Sequence, residues 1–230
     1  MKIGGFQKSS LLDYPDEISA IVWTVKCNFH CPFCYNTYIV DGNVELFSEK
    51  DVLDFLKKRQ GLLDALVISG GEPLLQKDIG DFCQKVKKLG YKIKIDTNGT
   101  FPEKLQELID KKLIDYISMD VKAPADKYNS LAGKKVDINK IKKSIKIIQQ
   151  SNLDYEFKTT VVPGLLDKKD IIEIGKWLKG SKKYYLQQFK NDTAVISSDL
   201  EAVTPYSEEE LFDFVENVKQ YFDICKARGI

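Results

Sequence analysis

The sequence predicts an α/β fold organised on a parallel sheet, and three observations support it. Runs rich in aliphatic, β-branched and aromatic residues alternate with stretches of helical period along the chain. Strands separated by helices become parallel neighbours, because such pairs need a crossover. Six strand-helix units can be counted, fewer than the eight of a closed TIM barrel. The polar and chemically unusual residues gather just after the runs, at the carboxyl ends of strands, where parallel architectures bind their ligands. A length of 230 residues fits one domain, 1–230, with a large core.

In order, Asp13-Tyr14-Pro15-Asp16 is a turn, because Pro15 fixes its own φ and steers Tyr14 away from the helical region. The segment before it alternates short extended pieces with turns. Ile18 to Val25 is the first strand, its composition suited to a buried parallel position. Ser48 with Asp51 resembles a capping box, and Val52, Leu53, Phe55 and Leu56 form the apolar stripe of the helix that follows. Ala65 to Ser69 is the second strand, Gly70 to Pro73 a loop, and Asp78 to Leu89 a helix stopped by Gly90. Ile93 to Thr97 is the third strand, followed by the turn signal Asn98-Gly99 and a helix from about Pro102. Tyr116 to Asp120 precedes a helix over Asn139 to Gln150, Tyr155 to Val162 one over Lys168 to Leu178, and Lys183 to Gln188 one over Ser207 to Arg228.

Composition narrows the functional classes. The 35 basic and 34 acidic residues leave a formal net charge of +1, which gives no long-range field for nucleic acid, so the lysines read as solvated helix faces. Five cysteines is an odd number with three of them clustered. Met1-Lys2-Ile3-Gly4-Gly5 lacks the apolar core of a secretory signal, so a reducing compartment is expected and a disulfide framework is not. The apolar runs are only a few residues long, short of the roughly 20 that span a bilayer. The expectation is a soluble cytoplasmic protein with neither membrane nor nucleic acid as partner.

The densest chemistry is Cys27-Asn28-Phe29-His30-Cys31-Pro32-Phe33-Cys34, three cysteines spaced C-x3-C-x2-C directly after the first strand. Three thiolates are three of the four ligands of a [4Fe-4S] cube, so one iron would be left open. Structural zinc also uses closely spaced cysteines but is normally closed by four Cys or His. The set does not close here: His30 abuts Cys31, and Cys83 and Cys225 lie in helix-like patterns where a cysteine acts as a small buried hydrophobe. Spacing alone leaves three readings, an open iron-sulfur site, a zinc site and unrelated thiols.

Other candidates follow the other strands. Gly70-Gly71-Glu72-Pro73 lets the backbone approach a ligand and offers a carboxylate to an ammonium group, although its plain reading is a turn. Asp96 and Thr97 end the third strand, and Asp120 and Lys122 follow the fourth, where an ordinary exposed ion pair is the plain alternative. Lys158 and Thr160 lie on the fifth strand, and Gln187 and Gln188 end the sixth.

With Phe33 before its third cysteine, the motif C-x3-C-x-aromatic-C resembles the signature of the radical S-adenosylmethionine (SAM) superfamily. The stretch from Gly5-Phe6-Gln7 through Leu12-Asp13-Tyr14-Pro15 to Cys34-Tyr35-Asn36 is similar to the smaller activating enzymes of glycyl-radical enzymes, above all those of anaerobic ribonucleoside-triphosphate reductase. The resemblance implies a partial (β/α)6 TIM-like barrel, a [4Fe-4S] cluster on Cys27, Cys31 and Cys34, and SAM on the open iron. It implies SAM contacts from Phe33, Cys34, Tyr35, Gly70, Gly71 and Glu72, from Thr97, Asp120, Val121 and Lys122, and from Lys158, Thr160, Gln188 and Phe189. It also implies a monovalent cation on Asp96, Thr97 and Asp120, whose hard oxygens suit such an ion. The implied partners are a glycyl-radical enzyme, with anaerobic ribonucleotide reductase first, and an electron donor such as flavodoxin or ferredoxin. An oxygen-sensitive exposed cluster suggests anaerobic growth.

The chain departs from the family pattern in places. Some activators carry a histidine on the sixth strand, where this chain has Leu186-Gln187-Gln188-Phe189, and a glycine often stands at the position of Lys26. Gln188 or Phe189 is left to make the histidine's contact without titrating near neutrality, and His30 reads as a variable loop residue. Lys158 stands where some activators have arginine, with a different donor geometry. Two rivals remain. One is a radical SAM enzyme acting on a small molecule, as 7-carboxy-7-deazaguanine synthase does, but the longer insert usual in that family between the first two cysteines is lacking. The other is a non-enzymatic cysteine-cluster metal-binding module, whose expected basic, aromatic surface is not evident.

Overall fold

The computed structural model describes residues 1–230 and arranges the strands of one eight-stranded sheet in chain order. β1 (Ile3–Ser10) turns through the Pro15 segment into β2 (Ser19–Thr24), and the cysteine loop then leads to α1 (Thr37–Asp41) and α2 (Glu49–Lys58). β3 (Ala65–Gly70), α3 (Ile79–Lys88), β4 (Lys92–Thr97), α4 (Pro102–Asp110) and β5 (Tyr116–Asp120) follow. After α5 (Tyr128–Ala132) and α6 (Ile138–Gln150) come β6 (Asp154–Val161), α7 (Lys168–Trp177), β7 (Ser181–Gln188), α8 (Glu208–Val218) and β8 (Phe222–Arg228).

β1 runs antiparallel to β2, whereas β2 to β8 are parallel neighbours throughout. Right-handed crossovers keep the helices on one face of a twisted sheet. Because β1 and β8 do not pair, the curved sheet stays open as a partial TIM-like barrel. The six predicted strands are β2 to β7, close to their expected bounds.

Period-two alternation divides the side chains between the two faces. On the outer face Val22, Ile68, Ile95, Ile117, Phe157 and Leu186 are buried against helix residues such as Leu56, Phe82, Leu105, Ile145 and Ile174 in one core. Each such side chain stabilises the fold by about 1.5–3 kcal/mol. On the inner face, Tyr14, Ile21, Val67 and Tyr116 form a small second cluster, with the Tyr14 and Tyr116 rings 5.6 Å apart. The Pro15 turn therefore plugs the amino end of the barrel with an aromatic ring, and Lys94 ties it there by donating to the Asp13 carbonyl at 2.7 Å.

Two strands exceed the predicted six. β1 organises the opening extended pieces into an edge strand, and the helix expected over Ser207 to Arg228 stops at Val218. After one turn of 3-10 helix the chain enters β8, paired with β7 from Ser181↔Phe222 to Gln187↔Arg228. The apolar spacing after Val218 serves either period. The bare edge of β7, which would leave a row of unpaired N–H and C=O groups, decides for the strand. Cys225 accordingly lies on a strand, half-buried.

Arg228 gives β8 its anchor. Its guanidinium lies over the Tyr185 ring, 3.2 Å from the centroid, and donates to both Glu156 carboxylate oxygens at 2.9 Å. Glu156 also accepts from the Tyr116 hydroxyl at 3.1 Å and from Ser118 Oγ at 3.0 Å. Arg228→Ala strands the buried Glu156 charge and is expected to lower the unfolding free energy by about 3 kcal/mol, read as a lower urea midpoint. The joint change Glu156→Gln with Arg228→Met should lose less, because no charge is then left unpaired.

Candidate functional site

The cysteine loop is held at both ends before any ligand is considered. At its entry Lys26 has φ 75°, a left-handed conformation that explains the glycine common there and costs a lysine about 1–2 kcal/mol. The Lys26 N–H donates to the Ile39 carbonyl at 2.8 Å, and its own carbonyl accepts from the Glu72 N–H at 3.0 Å. Gly71 makes that junction feasible: a Cβ there would lie 2.0 Å from the Lys26 carbonyl oxygen. Further along, the His30 N–H donates to Ala132 at 2.8 Å, and Gly133 packs so closely that its Cβ would meet the His30 oxygen at 2.0 Å. A late segment crosses the loop's exit, where Ile196 N–H donates to the Cys34 carbonyl at 3.2 Å and Ser197 N–H to Pro32 at 2.9 Å.

Beneath the loop lies a cavity of about 320 Å³ at the carboxyl ends of the strands. Of the residues singled out from sequence, Cys27, Cys31, Phe33, Cys34, Tyr35, Gly70, Gly71, Asp96, Thr97, Asp120, Lys122, Lys158 and Thr160 all line it. The wall also includes Gln187, a candidate at the end of the sixth strand, and Phe29, Asn36, Val40, Ser69 and Asn98, to which the sequence assigns no contact. Gln187 was legible: on a strand whose Tyr184 and Leu186 face the helices, period two turns Gln187 inward.

Four sequence candidates lie off that wall. Glu72 is fully buried behind Gly71, where its carboxylate accepts from Leu74 N–H at 3.0 Å, Thr97 Oγ1 at 2.8 Å and Asn98 N–H at 2.7 Å. It braces the loop between β3 and β4 and does not line the cavity. Val121 points into the helix-side core. Gln188 is turned away by the alternation that presents Gln187, and its Nε2 donates to the Tyr206 carbonyl at 2.6 Å. Phe189 is buried and acts through Tyr35, with which it stacks at 6.3 Å; Tyr35 is fixed from its other end by the Lys190 N–H donating to its hydroxyl at 2.7 Å.

Burial pushes the Glu72 carboxyl up to about 7 against the pull of those three donors. The sign follows directly. A carboxyl raised from 4.5 to about 7 on folding contributes stability that is full below the unfolded value and lost as pH rises through the folded one. Urea unfolding of the iron-free chain should thus weaken by on the order of 3 kcal/mol across that window, and Glu72→Gln should flatten the dependence.

The cavity floor carries an alternating charge array. Asp96 accepts from Ser69 Oγ at 2.9 Å and pairs with Lys94 at 3.0 Å; Asp120 pairs with Lys122 at 3.2 Å. Lys158 stands between the two carboxylates, 3.7 Å from Asp96 and 4.0 Å from Asp120. Burial pushes Asp96 up, but Lys158 and Lys94 outweigh it and hold the carboxyl at about 2. Burial would lower Lys122 and Lys158, and the neighbouring carboxylates reverse that and raise both. Lys122 also lies 5.7 Å from the centroid of the Phe33 ring.

The donor set fits an iron-sulfur cluster: the thiols of Cys27, Cys31 and Cys34, all from one loop, line the same cavity, three of the four ligands a [4Fe-4S] cube takes. Burial pushes Cys27 up to about 12 and Cys31 to about 11, so a strongly positive group among them is needed to keep them as thiolates. Donors already face one sulfur: Phe29 N–H lies 3.3 Å and Asn98 Nδ2 3.9 Å from Cys27 Sγ. Asn98 is itself placed by donating to Asn28 Oδ1 at 2.9 Å, and Asn28 by donating to Thr100 Oγ1 at 2.9 Å. Cys83, on α3 within the core, and Cys225, on β8, lie outside this site.

Comparison with known proteins agrees with this arrangement. Residues 21–178 match the family model described as the radical SAM superfamily. The chain is 36% identical, over 99% of its length and 96% of the relative's, to "Putative glycyl-radical enzyme activating enzyme MJ1227" of Methanocaldococcus jannaschii. It is 28% identical to a second protein of that organism, MJ1632, bearing the same description, over 76% of this chain and 68% of that one. Among solved structures, Streptococcus suis SuiB bound to S-adenosylmethionine superposes with a TM-score of 0.69 at 18% identity. The match covers 90% of this chain and 49% of SuiB, so the chain spans about half the SuiB length and the likeness is one of fold. With the family model covering most of the barrel and a relative matching nearly end to end, the chain belongs to the radical SAM superfamily.

Proposed function

We propose that this chain is the activating enzyme of a glycyl-radical enzyme. The observation that carries the proposal is a single cavity walled by three thiols of one loop and by the polar ends of β3 to β7. Cys27, Cys31 and Cys34 would hold a [4Fe-4S] cluster with one iron open, as the family implies. The backbone of Gly70 and Gly71 lines the cavity where Glu72 does not, and its main-chain carbonyls would meet the methionyl ammonium of SAM. Lys122 and Lys158 offer cations to its carboxylate, and Phe33, Tyr35 and Thr160 bound the remaining space. The bound cluster would supply the electron that cleaves the S–C5′ bond of SAM, so that the adenosyl carbon can take a hydrogen atom from a partner's glycine.

The choice of a protein substrate rests on the end-to-end likeness to the M. jannaschii relative MJ1227 and on the near-equal lengths of the two chains. Anaerobic ribonucleotide reductase is the favoured partner, from the Gly5-to-Asn36 resemblance, and a flavodoxin or ferredoxin the electron donor. The test is to mix reduced protein, SAM and glycyl-radical enzymes of the same organism and record electron paramagnetic resonance. A glycyl radical on the reductase is the expected result. A radical only on a pyruvate formate-lyase-like enzyme would change the partner, and 5′-deoxyadenosine formed with a small molecule but no protein radical would overturn the activating role.

A further inference from the structure

The floor of the cavity does not fit the monovalent cation that the family resemblance implies for Asp96, Thr97 and Asp120. An ion bridging the two carboxylates would need their facing oxygens, and those already face a side-chain ammonium: Lys158 Nζ lies 3.7 Å from Asp96 Oδ2 and 4.0 Å from Asp120 Oδ2. Each carboxylate has a second lysine besides, Lys94 at 3.0 Å from Asp96 and Lys122 at 3.2 Å from Asp120. Two anions are thus served by three cations, and a further monovalent ion would enter beside like charge. Thr97 is committed elsewhere, since its hydroxyl donates to Glu72 and accepts from the Gly99 N–H at 3.1 Å.

The same distances describe a cation with donors to spare. Both contacts of Lys158 exceed hydrogen-bond length, so its ammonium is held in place by charge from two sides while its N–H groups remain available. It lines the cavity from β6, the neighbour of β5, and its ammonium reaches between the carboxylates at the ends of β4 and β5. The surplus positive charge asks for an anion, which the carboxylate of an amino-acid ligand supplies.

We propose that Lys158 is a built-in replacement for the monovalent cation, bridging Asp96 and Asp120 and presenting its free donors to the carboxylate of SAM. The assignment rests on the SAM reading given above. It makes cofactor binding independent of Na⁺ and K⁺, and it makes Lys158 a binding residue that an uncharged side chain replaces only when a small cation enters between the carboxylates.

The test is equilibrium binding of labelled SAM to the cluster-loaded protein in buffers whose only small cation is Na⁺, K⁺ or bulky tetramethylammonium. Wild-type affinity should agree within about twofold across all three. Lys158→Met should bind about tenfold or more weakly in tetramethylammonium, as loss of one member of a buried charge array implies, and should recover in Na⁺ or K⁺ because the ion can then enter between the carboxylates. Lys158→Arg, which keeps the charge, should bind without a cation requirement. Iron content of each variant shows that the fold and cluster are retained. Wild-type binding that needs Na⁺ or K⁺ would overturn the replacement while leaving the SAM reading intact. Absence of SAM binding in every buffer would defeat the SAM reading and this one with it.

Discussion

Cys31→Ala is expected to give a folded protein that retains no iron-sulfur cluster after anaerobic reconstitution, and to reduce 5′-deoxyadenosine formation to background. Cys31 is the middle ligand of the loop and is buried with its thiol on the cavity wall, so no neighbouring side chain can stand in for it. Removing it spares the fold, because the loop is fixed by main-chain bonds that do not use the thiol, from His30 to Ala132 and from Lys26 to Ile39. The matched control is Cys83→Ala. Cys83 is wholly buried on α3 against the barrel core, so its loss should cost about 1 kcal/mol of packing and leave the iron count unchanged. Iron retained by the Cys31 variant, or lost by the Cys83 variant, would contradict the ligand assignment.

Gly71→Ala should have the next largest effect. The added methyl would sit 2.0 Å from the Lys26 carbonyl oxygen and 2.5 Å from its carbon, and neither atom is free to retreat. That carbonyl accepts the Glu72 N–H, while the Gly71 N–H donates to Thr24 at 2.8 Å. Relief requires separating the β3 loop from the start of the cysteine loop, which moves Cys27 and opens the cavity. A loss of about 2–4 kcal/mol in stability is expected, together with reduced iron content and loss of SAM binding. Gly164→Ala is the comparison, because nothing lies within 4 Å of a Cβ there although its φ of 80° leaves a strain of about 1 kcal/mol. Normal iron and SAM binding in the Gly71 variant would show that the close approach is dispensable.

The contrast between these glycines indicates what was legible in the sequence. Strands β2 and β3 could be read as near-continuous apolar runs and β4 and β6 by their alternation of apolar and polar residues, and Pro15, Gly90 and the Asn98-Gly99 turn mark boundaries locally. The loop cysteines could be read because ligand spacing within one loop is a local property. β8 could not: Phe222 to Arg228 becomes a strand through the free edge of β7 and the distant Glu156, neither of which leaves a mark on its own residues. The role of Glu72 was hidden for a similar reason, since the donors that capture its carboxylate come from residues 25 and 26 positions away as well as from Leu74. Gln187 and Gln188 were separated only by which of them faces inward, which the strand period settles once its register against Thr160 and Val161 is known. Lys158 was visible as a residue at a strand end, but its place between Asp96 and Asp120 belongs to three strands at once.

The central claim, that the three-cysteine loop carries a cluster whose open iron takes SAM, is tested most directly by electron paramagnetic resonance of the reconstituted, reduced protein with and without SAM. The account predicts a reduced [4Fe-4S] signal that changes shape on adding SAM, with 5′-deoxyadenosine appearing under dithionite. A signal unaltered by SAM, with no 5′-deoxyadenosine formed, would contradict it.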